Sequence, residues 1–253
     1  MNSKTTSQLG TLYLIPNTLG VYGTDGAQYT LRAVLAPQVV ETTARLKHFV
    51  VETAKVARQF LKAVGTQTPL QELQLTELNV KTPDAAIKDM LAPLLAGHDV
   101  GLLSDAGCPA VADPGARLVE AAHAAGVRVV PLVGPSSLLL ALMGSGLNGQ
   151  KFAFHGYLPI DAAAKLKDIK RLESESKSHT QTQLFIETPY RNMQLFDTLL
   201  KTLNPNTKLC VAADLTLPTE LIRTRTVAAW RDALKKDAVF DLNKRPAIFL
   251  FLA

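Results

Sequence analysis

The stretch Gly101–Leu118, GLLSDAGCPAVADPGARL, decides how this chain is read. Val100, Leu102 and Leu103 form a short apolar run that stops at Ser104, Asp105, Ala106 and Gly107, as a buried strand stops at a loop. Asp113 then stands before Pro114, the pattern of a helix N-cap with proline at the first helical position. Leu118, Val119 and Ala122 give that helix an apolar face. Strand, small-residue loop and capped helix, in that order, are how an open α/β sheet presents a ligand site at the carboxyl end of its strands. A tight strand-to-helix connection also collects Gly, Pro and Asp for steric reasons alone, so one such unit does not decide between structure and function.

A second unit follows in residues 127–147, VRVVPLVGPSSLLLALMGSGL. Val127, Val129, Val130, Leu132 and Val133 predict another buried strand, Gly134 and Pro135 break it, and Ser136 with Ser137 caps an apolar helix reaching about Met143. Working outward, the pattern predicts strands at 11–15 and 47–52 and helices near 30–36, 54–63 and 83–96. Beyond these units it predicts helices at 162–174, 191–203 and 227–236, and strands at 183–187, 208–214 and 247–252. This alternation implies mainly parallel sheets with helices on both faces, in an N-terminal α/β domain over 1–133 and a C-terminal one over 134–253. No internal repeat or low-complexity segment interrupts it.

Composition narrows the function classes. A chain of 253 residues that is 47% hydrophobic buries roughly three quarters of its unfolded surface, as expected of a well-packed soluble protein. The N-terminus has no long apolar h-region, and apolar runs such as Leu138–Met143 fall far short of a membrane span, so a cytoplasmic protein without membrane association is expected. Cys108 and Cys210 show no pairing or metal spacing, which suits a reducing compartment; Cys108 reads as a small packing residue rather than a nucleophile. The five histidines show no ligand spacing either, so no metal is expected. A dinucleotide-dependent oxidoreductase is excluded by the lack of a GxGxxG loop after the first strand.

The net charge of +5 is unevenly placed: residues 1–132 carry 11 basic and 11 acidic side chains, residues 133–253 carry 16 and 11. Lys165, Lys167, Lys170 and Arg171, with Lys177 beyond, cluster on a predicted helix and suit RNA phosphates. The interleaved Asp161, Asp168, Glu173 and Glu175 equally suit an ordinary solvated helix face.

The order SDAGCPAVADPG, GVRVVPLVGPSS, GLNGQKFAFHGYLP and LFIETPYR, running from GTLYLIP near the N-terminus to RPAIFLFLA at residue 253, resembles the tetrapyrrole methylase superfamily of S-adenosylmethionine-dependent methyltransferases. Within it the chain is most similar to the group that methylates ribose 2′-oxygens of ribosomal small-subunit RNA. Two segments depart from that group: Pro16, Asn17, Thr18, Leu19 and Gly20 replace its Thr-Pro-Ile-Gly-Asn-Leu loop, and LNVKTPDAA at 78–86 replaces an Asn-Glu-His-Asn run. The resemblance implies two α/β domains with an S-adenosylmethionine cleft between them, in a homodimer. It implies cofactor contacts from Asp105, Ala106 and Gly107 on one wall and Ser136 and Ser137 on another, and from Ile186 with Glu187, Ala212 with Ala213, and Pro246 with Ala247 in the C-terminal domain.

RNA is the expected methyl acceptor. The alternatives are a tetrapyrrole or other small molecule, and a non-catalytic RNA-binding protein on a methylase scaffold. A ribose hydroxyl needs a proton acceptor, for which Glu52, Asp105 and Glu187 are candidates, while Lys81 is placed to act on the charge of the substrate. Asn17, Tyr190 and Arg191 are the expected substrate contacts, each with an alternative reading as a turn or helix-start residue.

Overall fold

In the computed structural model, which describes residues 8–20, 27–236 and 240–253, the chain divides into two compact units on either side of the Ser136–Ser137 bond, and Gly134 lies in the first. The first unit runs β1 (Thr11–Ile15), α1 (Ala27–Val34), α2 (Pro37–Arg45), β2 (His48–Val51), α3 (Ala54–Val64), β3 (Gln74–Glu77), α4 (Ala86–Leu95), β4 (Val100–Leu103), α5 (Ala116–Ala124) and β5 (Arg128–Pro131). Its sheet has the order β3-β2-β4-β1-β5 with every neighbouring pair parallel. Strand alternation sends Leu12, Val50, Val100 and Leu102 into a core with Met90, Leu94 and Leu118 of α4 and α5. Ile15, Phe49, Val51 and Leu103 pack on the other face against Leu35, Val39, Phe60 and Leu61 of α1 to α3 and their connections. This is the doubly covered parallel sheet that the alternation implied.

Several local expectations are corrected. The strand ending at Gly134 is not buried: β5 closes one edge of the sheet, with Arg128 and Pro131 exposed, because it has a single neighbour. Helix α5 starts at Ala116 behind Gly115 with no side-chain cap, so Asp113 does not cap it. Helix α2 and strand β3 were not anticipated. Pro37 starts α2 rather than breaking a helix, and β3 reads QLTE, with no alternating apolar face to recognise.

The second unit contains α6 (Ser137–Ser145), β6 (Phe152–Tyr157), α7 (Ala162–His179), β7 (Thr182–Ile186), α8 (Asn192–Thr202), β8 (Lys208–Ala213), β9 (Leu221–Thr226), α9 (Val227–Lys236) and β10 (Ala247–Leu252). The order is β6-β7-β10-β8-β9, and only β6 and β7 are parallel. The expectation of a mainly parallel sheet therefore holds for the first unit and not for the second. Residues 214–220 between β8 and β9 leave no room for a crossover helix, so that pair is a hairpin, and β10 returns antiparallel between β7 and β8.

Phe185, Leu209, Val211, Phe249 and Phe251 point to one face of this sheet and pack with Leu172, Phe196 and Trp230 of α7, α8 and α9. Helix α6 contacts β8, β9 and β10, and its Gly144 sits so close to Ile222 that an added Cβ would lie 2.5 Å from Cδ1. Among the described residues no helix is long and apolar enough to cross a membrane.

Phe249 is fully buried on β10, its ring stacked 6.0 Å from that of Phe185. Phe249→Ala is expected to destabilise the protein by about 3–5 kcal/mol. Urea unfolding followed by the fluorescence of Trp230, the single tryptophan, measures this directly. An unchanged midpoint would show that the ring is not part of the cooperative core.

Candidate functional site

In the first unit the carboxyl ends of β2, β4 and β1 lie side by side and are joined by side chains. Asn17 follows β1 and is fully buried; its Nδ2 donates to the carbonyls of Ser104 at 3.0 Å and Asp105 at 3.1 Å, and its Oδ1 accepts the Thr18 N–H at 2.8 Å. Two backbone bonds reinforce the tie: the Asn17 N–H donates to Gly107 O at 2.8 Å, and the Gly107 N–H to Thr18 O at 3.3 Å. From β2, Glu52 Oε2 accepts the Asp105 N–H at 3.1 Å and Thr53 Oγ1 donates to Asp105 Oδ2 at 2.8 Å. The β4 loop is thus held from both sides, with Asp105 half-buried and Ala106 exposed.

The loop is also strained. Gly107 has φ +68° without penalty, but Ala110 and Ala112 adopt φ 65° and 61°, a region that side chains disfavour. Beyond β5, Gly134 passes over Pro16 so closely that an added Cβ would lie 2.2 Å from the proline Cβ. Cys108 donates its thiol to Pro135 O at 3.4 Å, and burial together with the nearby Asp113 carboxylate pushes its pKa up. That environment opposes a thiolate and suits the packing role expected for this residue.

Asp113 is the residue that sequence reasoning assigned to the wrong task. Its carboxylate is half-buried, hydrogen-bonded to Ser104, and faces Glu52 and Asp105. Burial, opposed by the Ser104 bond and helped by the two neighbouring carboxylates, raises its pKa from 3.8 to about 6. The signal in the sequence was the aspartate of ADPG, which the following proline made look like a cap. Lys81 stands apart, exposed in a turn whose carbonyls at Asn79 and Thr82 accept from the Arg117 guanidinium; Arg117 itself had drawn no attention.

In the second unit, Glu187 follows β7 with its side chain 1% exposed. Its Oε1 accepts from Arg191 Nη2 at 2.7 Å and from the Thr188 N–H at 2.7 Å, and Lys165 Nζ lies 3.7 Å from its Oε2. Glu187 and Arg191 therefore meet as an ion pair, and Tyr190 beside them is 77% exposed. Arg245 Nε binds Asp214 Oδ2 at 2.7 Å, and the Asp214 N–H donates to Pro246 O at 3.0 Å, which ties the end of β8 beside Ala212 and Ala213 to the start of β10. Nearby, Asn192 donates to Arg245 O at 2.6 Å. Its Oδ1 and Thr216 Oγ1 are the two buried side-chain atoms without a hydrogen-bond partner among the described residues. Ser137 opens α6 and Ser136 precedes it, both half-exposed. No cluster of three or more His, Cys, Asp or Glu among the described residues is arranged to hold a metal ion.

Comparison with known proteins adds three findings. The family model described as Tetrapyrrole (Corrin/Porphyrin) Methylases matches residues 28–229. A protein of Mesorhizobium japonicum named Ribosomal RNA small subunit methyltransferase I is 34% identical over 87% of this chain and 69% of its own length. A protein of the same name from Xylella fastidiosa is 30% identical over 96% and 81%. The crystal structure of the methyltransferase CobJ superposes with a TM-score of 0.60 over 96% of this chain and 94% of that one, at 19% identity, a likeness of fold.

The position of Asp113 predicts a pH signature. A carboxyl whose folded pKa lies above its unfolded value contributes stability that is fully present below about 3.8 and is lost as pH rises through about 6. Asp113→Asn keeps the shape and removes the charge, so the variant is expected to gain thermal stability relative to the wild type between pH 4.5 and 7.5. A difference in Tm that stays constant across that range would refute the perturbed carboxyl.

Proposed function

Because the chain belongs to the tetrapyrrole methylase family, we propose that it transfers the methyl group of S-adenosylmethionine to a ribose 2′-oxygen of small-subunit ribosomal RNA. That it is a methyltransferase follows from the family and from the names of its relatives; the donor and the acceptor are the proposal. The observation that carries it is the pinned β4 loop, with its backbone turned inward and Asp105 and Ala106 turned out beside Glu52 and Asp113.

S-adenosylmethionine brings a methyl group already activated on a positively charged sulfur, so the protein has to supply position, dryness and charge. The carboxylates of Glu52 and Asp105 at the β4 loop suit a cationic ligand. Asp105, Ala106 and Gly107 form one contact to it and Ser136 and Ser137 another. In the second unit Ile186, Ala212, Ala213 and Pro246 bound the adenosine part, and the unpartnered Asn192 Oδ1 and Thr216 Oγ1 fit a group that carries N–H donors, as an adenine amino group does.

Of the candidate proton acceptors, Asp113 and Glu52 suit the acceptor hydroxyl better than Glu187, which is held by two cations and an amide. A pKa of about 6 leaves Asp113 ionised and still basic enough near neutral pH. Lys81 and Arg191 then act on RNA charge and the exposed Tyr190 offers a stacking face. The same reading takes the protein to be a cytoplasmic homodimer.

The test combines calorimetric titration with S-adenosylmethionine and transfer of its tritiated methyl group to small-subunit ribosomal RNA. Asp105→Ala is expected to weaken cofactor binding. Asp113→Asn is expected to lower kcat by about 10²–10⁴ with cofactor affinity retained. Label recovered in dinucleotides that resist alkaline cleavage locates the methyl on a ribose. Label entering a tetrapyrrole pool but not RNA would overturn the acceptor, and RNA binding without transfer would make the protein a binding scaffold.

A further inference from the structure

The basic helix α7 separates into two parts once its partners are known. Arg171 is neutralised by Asp168 at 2.5 Å and Glu175 at 2.6 Å, as on an ordinary solvated helix. Lys170 has no ion pair or hydrogen bond among the described residues, is exposed, and lines a groove of about 520 Å³ between α7 and α8. Lys201 of α8 is likewise exposed on that groove, and Lys165 lies in its floor. Lys165 shares the single carboxylate of Glu187 with Arg191, so one negative charge faces two positive ones and the floor remains cationic.

No aspartate or glutamate lines this groove. Of the acids close to it in sequence, Asp161 is committed to capping α7 through the Ala164 N–H at 2.8 Å, and Asp197, one turn before Lys201 on α8, is exposed outside the lining. A second hollow of about 410 Å³ shares Lys170 and adds Lys177, extending the cationic track along α7. The acid there, Glu173, already accepts from the Asn204 N–H at 2.7 Å and the Thr207 hydroxyl at 2.5 Å.

Two further features select the kind of polyanion. Ile160 and Leu166 line the groove while 80% and 42% exposed, an apolar surface beside the lysines that a flat apolar face can cover. On α8, Thr198 donates its hydroxyl proton to Gln194 O at 2.8 Å and Thr202 donates to Thr198 O at 2.7 Å. Their oxygens are left as acceptors only. A phosphate oxygen also only accepts and gains nothing from them, whereas a ribose 2′-hydroxyl has a proton to donate.

We propose that the groove between α7 and α8 docks single-stranded RNA, with Lys170 and Lys201 neutralising phosphates, Ile160 and Leu166 supporting a base, and Thr198 and Thr202 accepting from 2′-hydroxyls. This rests on RNA being the methyl acceptor, and it assigns to the second unit a grip on the substrate apart from the methyl-transfer residues.

The experiment uses the full chain and fluorescence anisotropy with a labelled 12-nucleotide oligouridine and the matching oligodeoxyuridine, at 50 to 200 mM salt. The wild type is expected to bind the RNA more tightly than the DNA. The double variant K170A/K201A is expected to lose roughly tenfold or more in RNA affinity at the low-salt end. The slope of log K against log salt should become shallower by about 1.4, at about 0.7 for each phosphate that is no longer neutralised. T198V/T202V is expected to erode the preference for RNA over DNA while leaving the slope unchanged.

Calorimetric S-adenosylmethionine affinity and Tm should stay at wild-type values in both variants. K151A/K208A, which removes two exposed lysines that do not line either hollow, should leave RNA affinity unaltered. Equal losses in K151A/K208A and K170A/K201A, or no loss in K170A/K201A, would overturn the groove while leaving RNA as the acceptor. A wild type that binds neither oligonucleotide would also overturn the groove, while the acceptor is decided separately by methyl transfer to small-subunit ribosomal RNA.

Discussion

The side-chain amide of Asn17 is the contact on which the strand ends of the first unit depend. β1 and β4 are neighbours in the sheet, yet the loops that leave them diverge toward different helices. Their backbone groups lose ladder partners where the chain enters the loop. Asn17 gives both of its amide protons to the successive carbonyls of Ser104 and Asp105, and takes the Thr18 N–H on its oxygen. A buried carbonyl left without a partner costs about 1–3 kcal/mol, so one fully buried side chain removes that penalty at Ser104 and also satisfies the half-buried Asp105 carbonyl. The consequence is directional. With the carbonyls of Ser104 and Asp105 drawn inward, the small residues of the loop are what remains outside, and the strained Ala110 and Ala112 persist because the loop is tied at its start and again at Cys108.

Most of the first unit was legible because a parallel sheet covered on both faces has to be written in apolar runs and helix-period stripes. β4, buried at all four positions, is the plainest case. What escaped notice was what burial does not write. β3 lies at an edge with little to bury, and α2 follows α1 so closely that Pro37 passes for a stop rather than a start. In the second unit the strands β7, β8 and β10 were visible but their direction was not, since Ile, Leu and Phe runs read the same in either sense. Strand direction was decided by connection length, and β9, reading LIRTRT with every residue half-buried, gave too little contrast to reveal the hairpin.

Where the candidate residues stand in the sheet was legible, and what their side chains bond to was less so. Asp105, Ala106 and Gly107 fall at the carboxyl end of the central strand, as the break in hydrophobicity indicated, and Glu52 reaches them from β2. Asn17 was ambiguous between turn and substrate contact, and the sequence did not reveal that its side chain ties the β4 loop. Asp113 was misread because a local rule, aspartate before proline as a helix cap, was applied where a longer-range bond to Ser104 prevails. Local patterns record what a residue can do with its neighbours in sequence. The three carboxylates come together only because β2 and β4 are adjacent in a sheet order that the chain does not follow.

The same distinction separates the two kinds of carboxylate at the sheet ends. Glu187 is buried with Arg191 and Lys165 around it, and a buried acid so paired is strongly destabilised if one partner is removed, by about 3–5 kcal/mol. Its Oε1 accepts from an N–H and a guanidinium, and these contacts organise the end of β7. Asp113 has the opposite surroundings, two like charges and a hydroxyl, with no cation among the groups that shift it. A carboxyl in that setting resists ionisation without being prevented from it, and that is what a group must do to take up a proton near neutral pH and give it back. The chain thus spends its acids differently in its two units. Where cations are in excess an acid becomes a fixed anchor that still leaves positive charge over, and where acids are gathered together one of them is held back from ionising.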